Sequence, residues 1–349
     1  METRQPDGPI EGASAWYGPD LARQPERWIY PLSTADVNEL EAALQHVRHR
    51  GVPIQDIQKS DFDLPRFGTV LHDMSRELLR GRGFHVLRGL PIEGRSIQDS
   101  ATIFWGIGAW LGRARSQNAS GQLISHVKDL GKDNADPNVR TYQTNARQNY
   151  HTDSCDLVGL LCLQTARRGG LSSVVSSVTI YNEFRQRRPD LVPTLFEPFP
   201  TDRRGEVPAG MLPYFPIPIY HWFEGQLSAI YSRTYIMSSQ RLPEAPRLSA
   251  HQLEAMALFD SLAESPDLHL DMELQRGDMQ FVHNHQMLHD RTSFEDWPEP
   301  ERKRHLLRLW LCPPDGRSLP EVFALRYGST TVGDRGGIVV SSTQQHVPL

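Results

Sequence analysis

His151-Thr152-Asp153 and a polar cluster far downstream carry most of the chemistry this chain can do. The second cluster runs Asn284, His285, His289, Asp290 and Arg291, and is followed by Arg304 and Arg308. Residues two apart on a β-strand project to the same face. His151 and Asp153 would then present an imidazole and a carboxylate to one point. One histidine from a distant strand completes a two-histidine, one-carboxylate face. Such a face suits Fe(II) and leaves the opposite coordination positions open for a co-substrate and O2. A His-x-Asp triplet alone is weak, because a strand histidine is more often packed or solvated than metal-bound. Its context strengthens it: Gln148, Asn149 and Tyr150 lead in and an apolar run follows. His283, His285 and His289 all compete for the distal position. Arg304 and Arg308 would share a strand face. A guanidinium there would stay charged when buried and pair with a carboxylate through two parallel hydrogen bonds.

Bringing these stretches together requires a β framework, and the sequence past about residue 140 supplies one. Leu157 to Leu163 is an apolar run short enough for a buried strand. Leu171 to Ile180, rich in Ser and Val, also reads as a strand. Ile217 to Phe223 and Gln226 to Tyr231 flank Glu224-Gly225 as a hairpin. Met279 to Val282 and His305 to Leu311 read as strands around the downstream cluster. Helices come earlier. Ser33 and Asp36 form a capping pattern, with Val37, Leu40, Leu44 and Val47 on the buried face and Gly51-Val52-Pro53 as the stop. Further helices are expected over 69–81 and 98–112, with a strand at Phe84, Val86 and Leu87 between them. A late helix opens at Ser249 and Gln252 and would bury Leu253, Met256, Phe259 and Leu262. This order predicts a mixed α/β chain dominated by β, an antiparallel double sheet with helices packed outside. Residues 1–30 read as an irregular arm, 31–312 as a single domain and 313–349 as a C-terminal segment. Gly328 to Leu349, with its Gly and Ser, reads as a tail that packs late or not at all.

Composition removes other classes. The 349 residues have 38% hydrophobic and 23% charged content and a formal charge of −5, ordinary for a globular domain. No long run of Lys and Arg indicates a nucleic-acid partner. Met1 to Gly12 is polar and unlike a secretory signal, and no stretch approaches the roughly 18 apolar residues of a membrane helix. Cys155, Cys162 and Cys312 are odd in number and lie in apolar surroundings. They are expected to be buried reduced thiols of a cytoplasmic protein.

Taken together, Tyr150-His151-Thr152-Asp153, Gly169-Gly170-Leu171-Ser172, Asn284 through Arg291 and Arg304-His305-Leu306-Leu307-Arg308 give the chain a family resemblance. Over roughly residues 83–312 it resembles the TauD/TfdA branch of the Fe(II)/2-oxoglutarate-dependent dioxygenases, related to the clavaminate synthase-like enzymes. The resemblance implies a double-stranded β-helix, or jelly roll. It implies that His151, Asp153 and His289 ligate Fe(II), with His289 chosen because it directly precedes Asp290-Arg291. Arg304 would hold the far carboxylate of 2-oxoglutarate and Ser172 would share it. Arg308 would assist or face substrate. The interval from His289 to Arg304 is longer than in many relatives, and a loop with Trp297, Pro298 and Pro300 would absorb the excess. The implied reaction oxidises a C–H bond of a small organic molecule, by hydroxylation or desaturation, with release of succinate and CO2. Halogenating relatives lack the carboxylate that Asp153 supplies here. Relatives are often homo-oligomers, although no interface is legible.

Two other readings stay open at this point. A metal-dependent hydrolase would use the metal but not Ser172 and Arg304. A non-catalytic jelly-roll protein would bind a small acid without turnover. Substrate is the least legible feature. Met211 to Tyr235 is dense in aromatics: Tyr214, Phe215, Tyr220, Trp222, Phe223, Tyr231 and Tyr235. Most are expected in the core of a hairpin and some against a ligand, with Arg233 or Arg308 pairing an acidic group. Asn149 and Gln143 could line the pocket. Arg203-Arg204 reads as a solvated loop.

Overall fold

A computed structural model describes residues 5–133 and 139–349. Two facing sheets form its centre. The larger orders the strands Ile29–Pro31, Phe84–Arg88, Met279–His283, Leu157–Gln164, His305–Cys312 and Arg113–Ala114, and Ile124–Val127 pairs alongside His305–Cys312. The smaller orders Leu270–Met272, Ser172–Ser176, Met287–Arg291 and Gln148–His151. Pairing is antiparallel throughout, except for the parallel edge strand Ile29–Pro31 on Phe84–Arg88. This is a double-stranded β-helix with helices outside.

The strand His305–Cys312 explains the layering. Leu307, Leu309 and Leu311 pack outward with Phe104 and Ile107 of the helical layer. Leu306 and Trp310, on the opposite face, pack between the sheets with Val158, Val174 and Met287. Both faces are therefore buried, so the run reads as continuously apolar apart from Arg308. Burial of each leucine contributes about 1.5–3 kcal/mol. The lone arginine on the inner face is thus the anomaly to explain.

The helices Thr34–His49, Phe67–Arg80 and Ile97–Leu111 cover the larger sheet. The first begins with the expected capping box between Ser33 and Asp36. Ser177–Arg187 and Ala250–Ala263 cover the outer face of the smaller sheet, where Val175 and Leu288 meet them. Three expectations are corrected here. The strand expected over 171–180 ends at Ser176, whose hydroxyl accepts from the Thr179 N–H and starts a helix instead. Leu253 is exposed, while Ala255, Met256, Phe259 and Leu262 are buried. Arg233–Ser239, unforeseen, is a short helix. The hairpin is real but shorter, Tyr220–Phe223 paired with Gln226–Ala229. Glu224 and Gly225 both have positive φ, the geometry its two-residue turn requires.

The stretch around Trp16 to Trp28 and the C-terminal stretch both lie against this centre. Trp16, Leu21 and Trp28 are buried in the intersheet cluster, and the Trp16 indole donates to the Arg82 carbonyl. In the C-terminal stretch Arg335 and Ile338 are buried and Gln122 bridges to His346, so this tail packs. Its anchor is charged, which the Gly and Ser content concealed. The three cysteines are free and buried. Among the described residues no helix is long and apolar enough to cross a membrane.

Candidate active site

The intersheet space gathers the residues singled out above. His151 ends the strand Gln148–His151, and His289 lies opposite it in register on Met287–Arg291. Asp153 lies beyond the strand, so strand alternation does not place it. Its backbone N–H donates to Asn284 Oδ1 at 3.0 Å, while the Asn284 amide donates to the Cys155 carbonyl at 3.0 Å. Asn284 thereby clamps the loop that carries the carboxylate. His151, Asp153 and His289 bring one ligand atom each within 4.8 Å of one another. His151 Nε2 is 3.8 Å from Asp153 Oδ1, and His289 Nε2 is 3.7 Å from Oδ2. Both distances exceed a hydrogen bond. Two atoms each roughly 2.1 Å from one divalent ion stand about 3–4 Å apart.

The protonation states suit a cation. His151 Nδ1 lies 2.8 Å from the Asn149 carbonyl, which puts the proton there and leaves a lone pair on Nε2. Gln148 Nε2 approaches that lone pair at 2.8 Å. Burial, then the neighbouring His151, push His289 down to about 3, so its imidazole is neutral. Burial alone would raise Asp153, but Arg308, the two imidazoles and the Trp310 indole N–H together hold it below the usual carboxylate range. Trp310 Nε1 donates to Asp153 Oδ2 at 2.9 Å and Arg308 Nη1 at 3.3 Å. Arg308 Nε is held by Gln117 Oε1 at 2.7 Å. The inward arginine of the central strand therefore serves a buried carboxylate. Two imidazole lone pairs and one ionised carboxylate converging on one face fit a ferrous ion.

A small cavity runs from His151 and His289 to Ser172, Arg291 and Arg304. Arg304 and Arg308 are both 5% exposed, which rules out a surface role. Arg304 just precedes its strand, and the register shifts between His305 and Leu306. Its backbone N–H donates to Asp296, its Nη1 has no hydrogen-bond partner among the described residues, and its guanidinium lies 5.1 Å from the Phe294 ring. Arg291 stacks on the same ring at 4.8 Å and donates to the Thr144 and Ala146 carbonyls. Burial lowers Arg304 to about 10, and burial then Arg304 lower Arg291 to about 9; both remain cations at neutral pH. Ser172 Oγ lies 2.8 Å from Gln280 Oε1. A guanidinium N–H without a partner among the described residues, in a cavity that a hydroxyl lines and that reaches His151 and His289, fits the far carboxylate of a keto diacid. The excess between His289 and Arg304 is taken up by Phe294–Glu295, paired with Arg168–Gly169, and by a turn where Arg302 stacks on Trp297.

A larger cavity of about 340 Å³ opens on the other side of His151 and Asp153. Phe215, Tyr231 and Tyr235 line it, as does Asn149. Tyr220 is instead fully buried in the outer core and Trp222 packs against that core. Gln143 accepts from Lys132 away from the cavity. Arg233 is committed to Asp260 at 2.6 Å. The solvated reading of Arg203-Arg204 is overturned. Arg203 is buried and donates to the Leu212 and Leu325 carbonyls, and Arg204 lines the cavity. Neither His283 nor His285 joins the metal cluster; His285 binds Asp156. Gln117, Trp310, Arg140 and Arg326 escaped the sequence reading, because each lies far in sequence from the motif it meets.

This geometry defines a class, a jelly-roll site for a divalent metal and a keto acid. The sequence comparisons say which. Residues 49–310 match the family model described as "Taurine catabolism dioxygenase TauD, TfdA family", and the chain belongs to that family. It is a non-haem iron dioxygenase that uses Fe(II), 2-oxoglutarate and O2. It is 31% identical to the FR-33289 synthase of Streptomyces rubellomurinus, over 89% of this chain and 93% of the relative. It is also 31% identical to the taurine hydroxylase-like protein SAT17 of Stachybotrys chartarum, over 88% and 83%. Among solved structures, asparagine oxygenase in complex with Fe(II), 2S,3S-3-hydroxyasparagine and succinate has the same fold: TM-score 0.65, 14% identity, 82% of this chain and 93% of that one. The non-haem iron oxygenase OrfP in complex with Fe and alpha-ketoglutaric acid gives 0.62, at 16% identity, over 81% and 93%. A hydrolase or a non-catalytic binder is not favoured by these relationships.

Proposed function

We propose that His151, Asp153 and His289 hold the ferrous ion, that Arg304 and Ser172 hold the far carboxylate of 2-oxoglutarate, and that the enzyme hydroxylates or desaturates a small organic molecule in the larger cavity. The observation that carries this is the convergence of the three donor atoms within 4.8 Å beside a buried guanidinium with an unpartnered N–H. When bound, iron and 2-oxoglutarate activate O2, and the keto acid supplies two electrons and leaves as succinate and CO2.

The chain's own residues do the rest. Asn149 fixes the His151 tautomer, and Asn284 aims the carboxylate. Trp310 and Arg308 keep Asp153 ionised by donating to its Oδ2. Asp153 itself disfavours halogenation, since it fills the position a halide would need. Phe215 and Tyr231 exclude water from the face where a C–H bond would lie. The three unpaired thiols accord with a reducing cytoplasm.

The test is anaerobic Fe(II) titration followed by aerobic succinate assay with 2-oxoglutarate. Wild type should bind one iron and form succinate, and R304Q should raise the KM for 2-oxoglutarate by about tenfold or more. A wild type that forms no succinate with iron bound would end the proposal.

A further inference from the structure

The larger cavity carries a charge imbalance that the dioxygenase chemistry does not use. Arg140, Arg204 and Arg326 line it. Around them the described residues offer one carboxylate, Glu206, which accepts from Arg140. Neither Arg204 nor Arg326 has a carboxylate within ion-pair distance of its guanidinium among the described residues. Asp202 lies nearby, but Arg241 takes it at 2.9 Å. Among the described residues, three cations against one anion leave two positive charges. The other arginines of the cavity wall are already neutralised: Arg147 by Asp290, Arg233 by Asp260, and Arg308 by Asp153.

The cluster is built rather than incidental. Tyr235 is its hub. Arg140 donates to the Tyr235 hydroxyl at 2.5 Å, and the Arg140 and Arg204 guanidinium carbons lie 5.3 and 5.5 Å from the Tyr235 ring. Arg204 Nη2 donates to the Val139 carbonyl, while its Nε is buried without a partner among the described residues. Arg326, 9% exposed, is tied by Nε to Ser154 Oγ at 2.7 Å, one residue from Asp153. Cations withdrawn from water with no counter-ion among the described residues are costly, and desolvation lowers the pKa of both the half-buried Arg204 and the buried Arg326. A fold that keeps them next to a metal centre keeps them for an anion. Phe215, Ile217 and Ile236 on the same wall offer nothing to a second polar group.

We infer that Arg140, Arg204 and Arg326 form a subsite for a tetrahedral dianion, a phosphonate or phosphate ester, on the substrate whose apolar portion lies toward His151 and Asp153. The inference rests on the dioxygenase reading and deepens it. A dianion matches the two charges left uncompensated among the described residues, where a carboxylate would leave one. A tetrahedral head also presents three oxygens to three guanidinium groups.

Calorimetry on the enzyme loaded with Fe(II) and 2-oxoglutarate under nitrogen tests it, with n-butylphosphonate, n-propyl phosphate, n-butanesulfonate and pentanoate as probes. At least one dianion should bind about tenfold or more tightly than pentanoate and the sulfonate, as extra charge-assisted hydrogen bonds require. The phosphonate and the phosphate arms separate a carbon-linked from an oxygen-linked head, and tight binding of either supports the subsite. Propyl phosphate should tighten as pH rises through its second ionisation near about 6. R204Q and R326Q should each weaken the dianion about tenfold, with R204K retaining most of the affinity. Pentanoate binding as tightly as both dianions overturns the subsite, as does the absence of dianion binding to the loaded wild type. These wild-type outcomes stand even if a variant misfolds. Failure of Fe(II) or 2-oxoglutarate to bind in the same experiment would overturn the dioxygenase reading instead.

Discussion

Asp153 and Asp156 lie three residues apart, and each is surrounded by histidine and arginine, yet the two clusters do opposite things. Asp156 is closed upon. His285 Nε2 touches its Oδ1 at 2.6 Å, and Arg335 straddles both oxygens at 2.8–3.1 Å. Every polar edge of that carboxylate faces a donor. Asp153 is held from one side by Trp310 and Arg308, and its two imidazoles stand off at 3.7 and 3.8 Å. Residue types are the same in both. Spacing separates an ionic strut from a metal centre, and spacing is what a linear sequence does not print.

The comparison breaks most sharply at the ligands. H289A and D153A should each lose Fe(II) binding and cut succinate formation by at least about a thousandfold, and H289A, which strands no buried charge, should do so with little change in the urea midpoint of the protein measured without metal. R335A should do the reverse. It leaves Asp156 short of its buried cation, which costs about 3–5 kcal/mol of folding stability, while the folded protein still titrates one Fe(II). Urea unfolding and iron titration on the same two proteins decide it. If R335A lost iron and kept stability, the strut would be part of the metal centre and the contrast would collapse.

A smaller effect sharpens the boundary between the clusters. Asn284 lies between them, bonded to the Asp153 N–H and the Cys155 carbonyl. N284A strands both groups and loosens the loop that aims the ligand. Fe(II) affinity should fall about 10–100-fold, the usual consequence of losing an orienting contact around a metal. N284D, which keeps an acceptor for the Asp153 N–H and loses the donor to Cys155, should fall less. Equal losses in both variants would mean that the Cys155 contact, and not the aim of Asp153, matters.

What the sequence disclosed and what it withheld follow the same division. His151, Asp153 and His289 were legible as a motif, and one donor atom of each lies within 4.8 Å of the others; Ser33 and Ser249 announced their helices through local capping chemistry. The strand argument does not account for where Asp153 lies, since the strand closes at His151. Ser176 ended a β-prone run because one hydroxyl captured the Thr179 N–H, a local bond that outweighs the propensity of Val178 and Ile180. Arg203-Arg204 misled because a pair of arginines beside a glycine looks solvated unless the partners are known. Those partners, the carbonyls of Leu325 and Val139, are more than sixty positions away. Arg335 is the same case at larger scale, hidden in a Gly-rich tail and buried against Asp156. Local signals carry elements and motifs; long-range polar pairing carries the site's walls.

The smallest expected effect concerns His221, on the far side of the Asp156 cluster. Its ring is fully buried against Phe323 at 4.6 Å, and neither nitrogen has a partner among the described residues. Burial, then nearby His285, push its pKa down to about 3. The unfolded chain takes up a proton below about pH 6.5; the folded ring refuses it until about pH 3. Its contribution is therefore complete above the unfolded value and is lost as pH falls, at about 1.4 kcal/mol per unit. H221F removes that proton. Near neutral pH the relief of two unsatisfied nitrogens, about 1–3 kcal/mol, is offset by overpacking of similar size, so the net change should be about 1 kcal/mol or less. Between pH 6 and 4 the variant's stability should fall less steeply than wild type by about one proton. Urea unfolding at three pH values reads the slope. An unchanged slope would mean that His221 is already protonated or hydrogen-bonded in solution, and that the closed cluster extends one histidine further than its contacts indicate.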